Sequence, residues 1–343
     1  MNKLELTYTP YSFKLKKPFQ TSRTTITERK GFILELKSQT GAFGIGEAAP
    51  LPDFGSETYE EDEKALENFN LSLRIDVENL EESLEENLKD FNSLPSLRCG
   101  IEFAILNLIC NERKTTIPFL LKRNFPDSIL VNGVIGFMTL EKVGQTASDL
   151  LQKGFKTIKV KVGRDDYEED LKTISEIRKV DNDLKLRIDA NAKWNKEEAL
   201  EYLKRLESYI IQYAEQPVKE LNDFLFLKDK TKIPLAVDES IRSFKDAEEF
   251  ITKRAASFLI LKPMMLGGII PTLKIADLAK ENGIETVVTS SFETVVGRTG
   301  VVNAAALINN NLAHGLGTAD YFDEGEAADP FPVSNGKIVL RSK

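Results

Sequence analysis

Five short runs between Thr157 and Pro263 decide the fold: TIKVKV (Thr157 to Val162), LRIDAN (Leu186 to Asn191), IQYAEQP (Ile211 to Pro217), PLAVDES (Pro234 to Ser240) and LILKP (Leu259 to Pro263). Each is short and largely apolar, as a strand buried in a parallel sheet must be. Each also carries a charged residue near its C-terminal end: Lys161 with Lys159 two before it, then Asp189, Glu215, Asp238 and Lys262. Intervals of 28, 26, 23 and 24 residues separate Lys161, Asp189, Glu215, Asp238 and Lys262. That period is one strand plus one helix. It places the charged ends on one rim of a β/α barrel, the rim where such barrels carry out chemistry.

Outward from these runs the same alternation continues. Strands are predicted near 129–134, 157–162, 185–190, 210–215, 234–238, 258–262, 285–290 and 314–318. Helices are predicted near 139–153, 166–179, 196–208, 219–229, 243–254, 270–282 and 294–310. Eight ordered strands favour a closed α/β barrel of the TIM type over an open doubly wound sheet. Residues 1–96 differ: alternating strands, polar loops and an acidic helical region read as an α+β unit. Residues 97–316 carry the barrel pattern, beginning with a long apolar helix. The tail, 317–343, is rich in Asp, Gly and Pro and is expected to pack back on the first unit.

The 343 residues suffice for a barrel and a smaller second domain. A net charge of −8 disfavours a nucleic-acid partner. No apolar run reaches the roughly 20 residues of a membrane span, and the N-terminus lacks a signal-peptide pattern. The expected location is cytoplasmic. Cys99 and Cys110 are 11 residues apart in one helical run, about 16 Å along the axis. That is too far for a disulfide, so both are read as reduced core residues.

A single acid at a strand end would usually cap the next helix. Three on consecutive strands converge, and their repulsion is costly without a cation. Asp189, Glu215 and Asp238 offer oxygen ligands only, which suits Mg2+. Lys159 and Lys161 are two apart on a strand whose alternate residues are Ile158, Val160 and Val162, so both lysines point into the barrel. Lys153 and Lys156 are read instead as solvated surface. The single histidine, His314, begins the last strand and lies at the wrong end for catalysis. Proton transfer then falls to lysine. A lysine base needs a pKa near 7–8, about 3 units below its ordinary value, which costs about 4 kcal/mol. Together these groups suit removal of a proton beside a metal-bound carboxylate, with the enediolate stabilised by cations. Gly44-x-Gly46-x-x-Ala49 mimics a dinucleotide fingerprint, but Pro50 follows and no helix starts there.

The ordered set KVK, DAN, AEQP, DES and LKP resembles the muconate-lactonizing subgroup of the enolase superfamily. The resemblance implies a modified TIM barrel, (β/α)7β, beneath an N-terminal α+β capping domain whose loops 16–30 and 50–57 set specificity. GIGEAAPLPDFGSET (Gly44 to Thr58), VNGVIG (Val131 to Gly136) and TSSFETVVG (Thr289 to Gly297) are similar to the o-succinylbenzoate synthase family of menaquinone biosynthesis. That similarity implies dehydration of 2-succinyl-6-hydroxy-2,4-cyclohexadiene-1-carboxylate. Lys161 would be the base and then the acid, Lys262 a cationic stabiliser, and Lys159 a carboxylate-binding group. Asp189, Glu215 and Asp238 would hold Mg2+, and Ser290 and Ser291 would meet the succinyl tail. The implied partner is a small-molecule carboxylate, with no nucleic acid or membrane; the oligomeric state stays open. One departure is Gly317, where relatives often carry Asp. Asp320 and Asp323 nearby bring the dipeptide epimerases into view, although their spacing is one residue longer than that family's Asp-x-Asp pair. Racemisation of an N-succinylamino acid, or dipeptide epimerisation, by the same lysine pair is the alternative.

Overall fold

The computed structural model describes residues 4–20, 25–69, 75–322 and 329–340. Strands β1 (Glu5–Gln20), β2 (Thr25–Lys37) and β3 (Phe43–Ala48) form an antiparallel meander. Phe32, Leu34 and Leu36 of β2 alternate onto one face and are fully buried. They share an apolar cluster with helix Pro95–Arg113. Gly44 and Gly46 let β3 lie directly on that helix. A Cβ on Gly46 would sit 1.9 Å from the Gly100 carbonyl oxygen, and one on Gly44 2.1 Å from that of Ala104. The glycine pair that mimics a dinucleotide fingerprint is therefore a strand–helix packing device.

The boundary expected between 96 and 97 falls inside helix Pro95–Arg113. This helix packs on the N-terminal sheet, and the same cluster takes in Ile269, Ile270 and Leu273 of helix Ile269–Glu281. Cap and barrel are thus joined through a common core. Cys99 and Cys110 are both free and buried on this helix, and burial pushes the Cys110 thiol up to about 11.

The first barrel strand is broken at Asn132 into β4 (Ser128–Val131) and β5 (Gly133–Ile135). After β5 come β6 (Thr157–Lys161), β7 (Lys185–Asp189), β8 (Ile211–Glu215), β9 (Leu235–Val237), β10 (Phe258–Leu261) and β11 (Glu285–Val288). From β5 to β11 they form one seven-stranded parallel sheet in chain order. The last strand, β12 (Ala313–His314), pairs in parallel with β4, and a bridge between Thr289 and Gly315 joins it to the end of β11. These contacts close the ring. Ile158, Val160 and Val162 point outward into a cluster with Val143, Ala147, Ile174 and Ile177 of the covering helices. Lys159 and Lys161 therefore point inward.

The tail corrects one expectation. Its strands β13 (Val333–Ser334) and β14 (Lys337–Val339) form a hairpin, and β14 pairs with barrel strand β4 rather than with the cap. The break at Asn132 separates β4 from the β5–β6 ladder. Its second edge then needs a partner for its backbone groups. Arg298 fastens the tail, donating from Nη1 to Asp329 Oδ1 at 2.8 Å and from Nη2 to the Phe331 carbonyl at 2.9 Å. Among the described residues the start of the tail meets the cap, where Tyr321 lies edge-on to Phe19. Residues 323–328 and 341–343 lie outside the described residues.

Candidate active site

Register stacks the functional side chains in rows. Lys161, Asp189 and Glu215 are direct neighbours across β6, β7 and β8; one layer below, Lys159, Arg187 and Tyr213 are aligned likewise. Asp238 follows β9, and Lys262 follows β10 directly. The side chains of Lys159, Lys161, Asp189, Asp238 and Lys262 line a cavity of about 860 Å3. Glu215 sits just behind that wall and is 1% exposed.

Lys159 Nζ donates to Glu215 Oε1 at 2.7 Å and lies 3.1 Å from Asp189 Oδ2. Lys161 Nζ donates to Asp189 Oδ2 at 2.7 Å and to Asn191 Oδ1 at 2.5 Å. Lys262 is ion-paired with Asp238 and lies 5.3 Å from the centre of the Phe54 ring. Burial alone would raise Asp189, but Lys159 and Lys161 hold it below the usual carboxylate range. Glu215 is pushed up to about 8, by burial first and then by the charge of Asp189. Burial works to lower Lys159 and Lys262, yet the facing carboxylates hold both above the ordinary lysine value. The reason is charge balance: here the ammonium groups are the cations that the acids find.

The donor set can be tested against a divalent cation. Among the described residues, no three His, Cys, Asp or Glu side chains already converge into a closed cage, because lysines engage Asp189 and Asp238. Yet Glu215 Oε2 is buried with no hydrogen-bond partner, and its carboxyl holds a proton into the neutral range. A hard cation beside it would satisfy that oxygen and relieve the repulsion among three acids. The residues present fit such an ion.

The two serines part company. Ser290 lines the cavity, donates to Glu293 Oε2 at 2.5 Å and accepts from Thr318 Oγ1 at 2.8 Å. Ser291 is fully buried outside the cavity wall, and its hydroxyl has no partner. The expected contact from Ser291 to substrate is not supported, since successive residues of an extended segment face opposite ways. His314 is buried and does not line the cavity, although its neighbour Gly315 does. Its Nδ1 accepts from the Val288 N–H at 3.0 Å, and burial pushes it down to about 3.

Sequence reading missed three polar residues beside the acids. Asn191 and Gln216 adopt left-handed backbone, with φ 46 and 40. Gln216 Oε1 accepts from the Asp238 N–H at 2.7 Å, and its Nε2 donates to Ser240 Oγ at 2.6 Å, bracing the loop after β9. Glu239 accepts from Asn191 Nδ2 at 2.8 Å. All three lie within the DAN, EQP and DES triplets, so the motifs flagged them even though only the acids were given roles.

The cap reaches the cavity through Lys16, Phe19 and Phe54. Residues 21–24 of loop 16–30 lie outside the described residues. Arg29 ties that loop down: it donates to the carbonyls of Pro50 and Ala49, each at 2.7 Å, and to that of Phe292 at 3.1 Å. Lys153, read as surface, also lines the cavity. Gly317 lies in the wall, whereas Asp323 lies outside the described residues. No described helix is long and apolar enough to cross a membrane.

A charged rim on a barrel beneath an α+β cap defines the class, and sequence comparison agrees. Residues 142–343 match the enolase C-terminal domain-like family, and residues 6–108 match the MenC N-terminal domain. The chain belongs to the enolase superfamily. It is 30% identical over 302 residues to the L-Ala-D/L-Glu epimerase of Clostridium acetobutylicum, covering 86% of this chain and 84% of that protein. It is 25% identical over 335 residues to the o-succinylbenzoate synthase of Bacillus subtilis, covering 96% and 89%. The crystal structure of an Enterococcus faecalis dipeptide epimerase complexed with Mg and L-Leu-L-Tyr shares the fold, with a TM-score of 0.88 at 24% identity over 99% of this chain and 98% of that one.

Proposed function

We propose that this enzyme catalyses the Mg2+-dependent syn-dehydration of 2-succinyl-6-hydroxy-2,4-cyclohexadiene-1-carboxylate to o-succinylbenzoate. The observation that carries this reading is the charge distribution around the cavity. Lys16 and Lys153 also line it and have no ion-pair partner among the described residues. The aspartates in its described wall are engaged: Asp189 by Lys159 and Lys161, Asp238 by Lys262 and Asp329 by Arg298. Such a cavity suits a substrate with two carboxylates and no ammonium. A dipeptide brings an ammonium that would need a free acid. Phe19, Phe54 and Phe292 supply apolar surface for a six-membered ring, and loops 16–30 and 50–57, which contribute the first two, set substrate choice.

In this reading Lys161 takes the proton α to the ring carboxylate, and the electron pair spreads into that carboxylate as an enediolate. Lys262, on the other side, and Lys159 face the growing negative charge with ammonium groups. The pair then returns to the ring, the C–O bond breaks, and the hydroxyl leaves as water with the proton from Lys161. One lysine serving both steps explains the syn course, because proton and hydroxyl leave the same face. Asp189, Glu215 and Asp238 would hold Mg2+, which when bound would supply a fixed positive charge that lowers the cost of the dianionic carboxylate. Domain roles follow: residues 1–96 act as the cap, and the tail beyond 316 closes the barrel's first strand.

A second reading is racemisation of an N-succinylamino acid, and the resemblance to epimerases favours it. Such a substrate also has two carboxylates and no α-ammonium, and Lys161 and Lys262 would act as bases on opposite faces. Purified enzyme with Mg2+ is expected to consume the cyclohexadiene and release o-succinylbenzoate, followed by ultraviolet absorbance. No turnover, together with α-proton exchange of an N-succinylamino acid in D2O, would replace the first reading with the second.

A further inference from the structure

We propose that Asn191 and Glu239 act in series as positioning residues that aim the amino group of Lys161 into the cavity. This rests on the reading of Lys161 as the proton carrier. A lysine ammonium has three N–H groups. One is committed to Asp189 Oδ2 at 2.7 Å and a second to Asn191 Oδ1 at 2.5 Å. Among the described residues no acceptor takes the third, and Lys161 forms part of the cavity wall. Two fixed acceptors therefore leave one direction for proton exchange, and that direction is the cavity.

The orientation of the Asn191 amide is itself fixed. Its Nδ2 donates to Glu239 Oε1 at 2.8 Å. A flipped amide would put N–H groups against the lysine ammonium and an oxygen against the carboxylate, losing both bonds. Glu239 thus selects which end of the amide meets Lys161. The backbone is held as well. The Asn191 N–H donates to Asp189 Oδ1 at 3.1 Å, and the next residue, Ala192, donates to the Gln216 carbonyl at 2.6 Å. Asn191 has φ 46, a conformation that asparagine tolerates better than most L-residues. Glu239 Oε2 is buried without a partner. A carboxylate so placed costs stability, and orienting the amide gives it a role.

Four variants test the series. Asn191→Gly keeps the left-handed backbone without strain and removes the acceptor. It is expected to lower kcat by about tenfold to a hundredfold, the scale of misaligned reacting groups, while KM moves less than about threefold. Glu239→Leu is expected to show the same loss. The double variant is expected to be no worse than either single one, because serial contacts are not additive. Glu239→Gln retains an oxygen for Asn191 Nδ2 and is expected to recover most of the rate. Melting temperatures of all variants identify any that fold poorly. If Lys161→Ala remains active, the reading of Lys161 fails. If turnover depends on Lys161 but Asn191→Gly in folded protein keeps full kcat, the positioning inference alone falls. It also falls if the two losses multiply or reside in KM.

Discussion

The acids of the catalytic rim and the glutamate at the cap–barrel seam are both buried, yet they are held by different chemistry. At the seam, Glu47 of β3 accepts from Tyr11 Oη at 2.5 Å, from the Thr294 N–H at 2.9 Å and hydroxyl at 2.6 Å, and from the Gly297 N–H at 2.7 Å. Three of these donors belong to Thr294 and Gly297 at the start of helix Val295–Ile308, whose dipole favours the same charge. Both Glu47 oxygens are satisfied by neutral groups that the fold holds in place. At the rim, Asp189, Glu215 and Asp238 face lysine ammonium groups, and Glu215 Oε2 has no partner among the described residues. Fixed neutral donors make a carboxylate structural. Charged partners and an unsatisfied oxygen are what the proposed cation and substrate would engage.

Breaking the rim should show in the rate, and breaking the seam in stability. The largest effect is expected from Lys161→Ala, which should reduce turnover by about a thousandfold or more while the unfolding midpoint moves little, because Lys159 still faces Asp189. A midpoint shift as large as that of a seam variant would erase the contrast. Next is Glu47→Ala, which strips the acceptor from four donors and should cost about 3 kcal/mol of stability. Urea unfolding reads this, and the rate per folded molecule should change much less. A rate loss comparable to that of Lys161→Ala would make Glu47 part of the chemistry.

The smallest effect concerns pH and sharpens the rim. With Glu215 raised to about 8, its protonated form favours the folded state. Without a cation, that contribution is complete below the unfolded pKa, about 4.3, and is lost as pH rises through about 8. A bound cation prefers the carboxylate and must displace this proton. Mg2+ affinity, measured by calorimetry, should therefore weaken by up to about tenfold per pH unit below about 8, with proton release to buffer. Affinity independent of pH over this range would show that cation binding displaces no proton from Glu215.

Much of the barrel is legible in the chain because two periods coincide. Apolar strands recur with amphipathic helices between them, and the observed Thr157–Lys161, Lys185–Asp189 and Ile211–Glu215 fall almost where the pattern puts them. The acids and lysines could be assigned to one rim because each sits at the end of such a run. Other features depend on partners distant in the chain. The role of Gly44 and Gly46 needs helix Pro95–Arg113, and the destination of the tail needs the break at Asn132. Ser290 and Ser291 look alike in sequence, and only the turn of the backbone puts one in the cavity wall and the other behind it.

The amino-acid order alone thus set the barrel, its charged rim and the residue types available for proton transfer, because periodicity and charge are local properties of a chain. Pairing was a matter for the folded molecule: which ammonium meets which acid, that Asn191 and Glu239 brace Lys161, and that Lys16 and Lys153 share a cavity with the rim. Those outcomes depend on ångström distances between segments far apart in sequence. Hydrogen bonds and ion pairs acquire their strength and direction only at such distances.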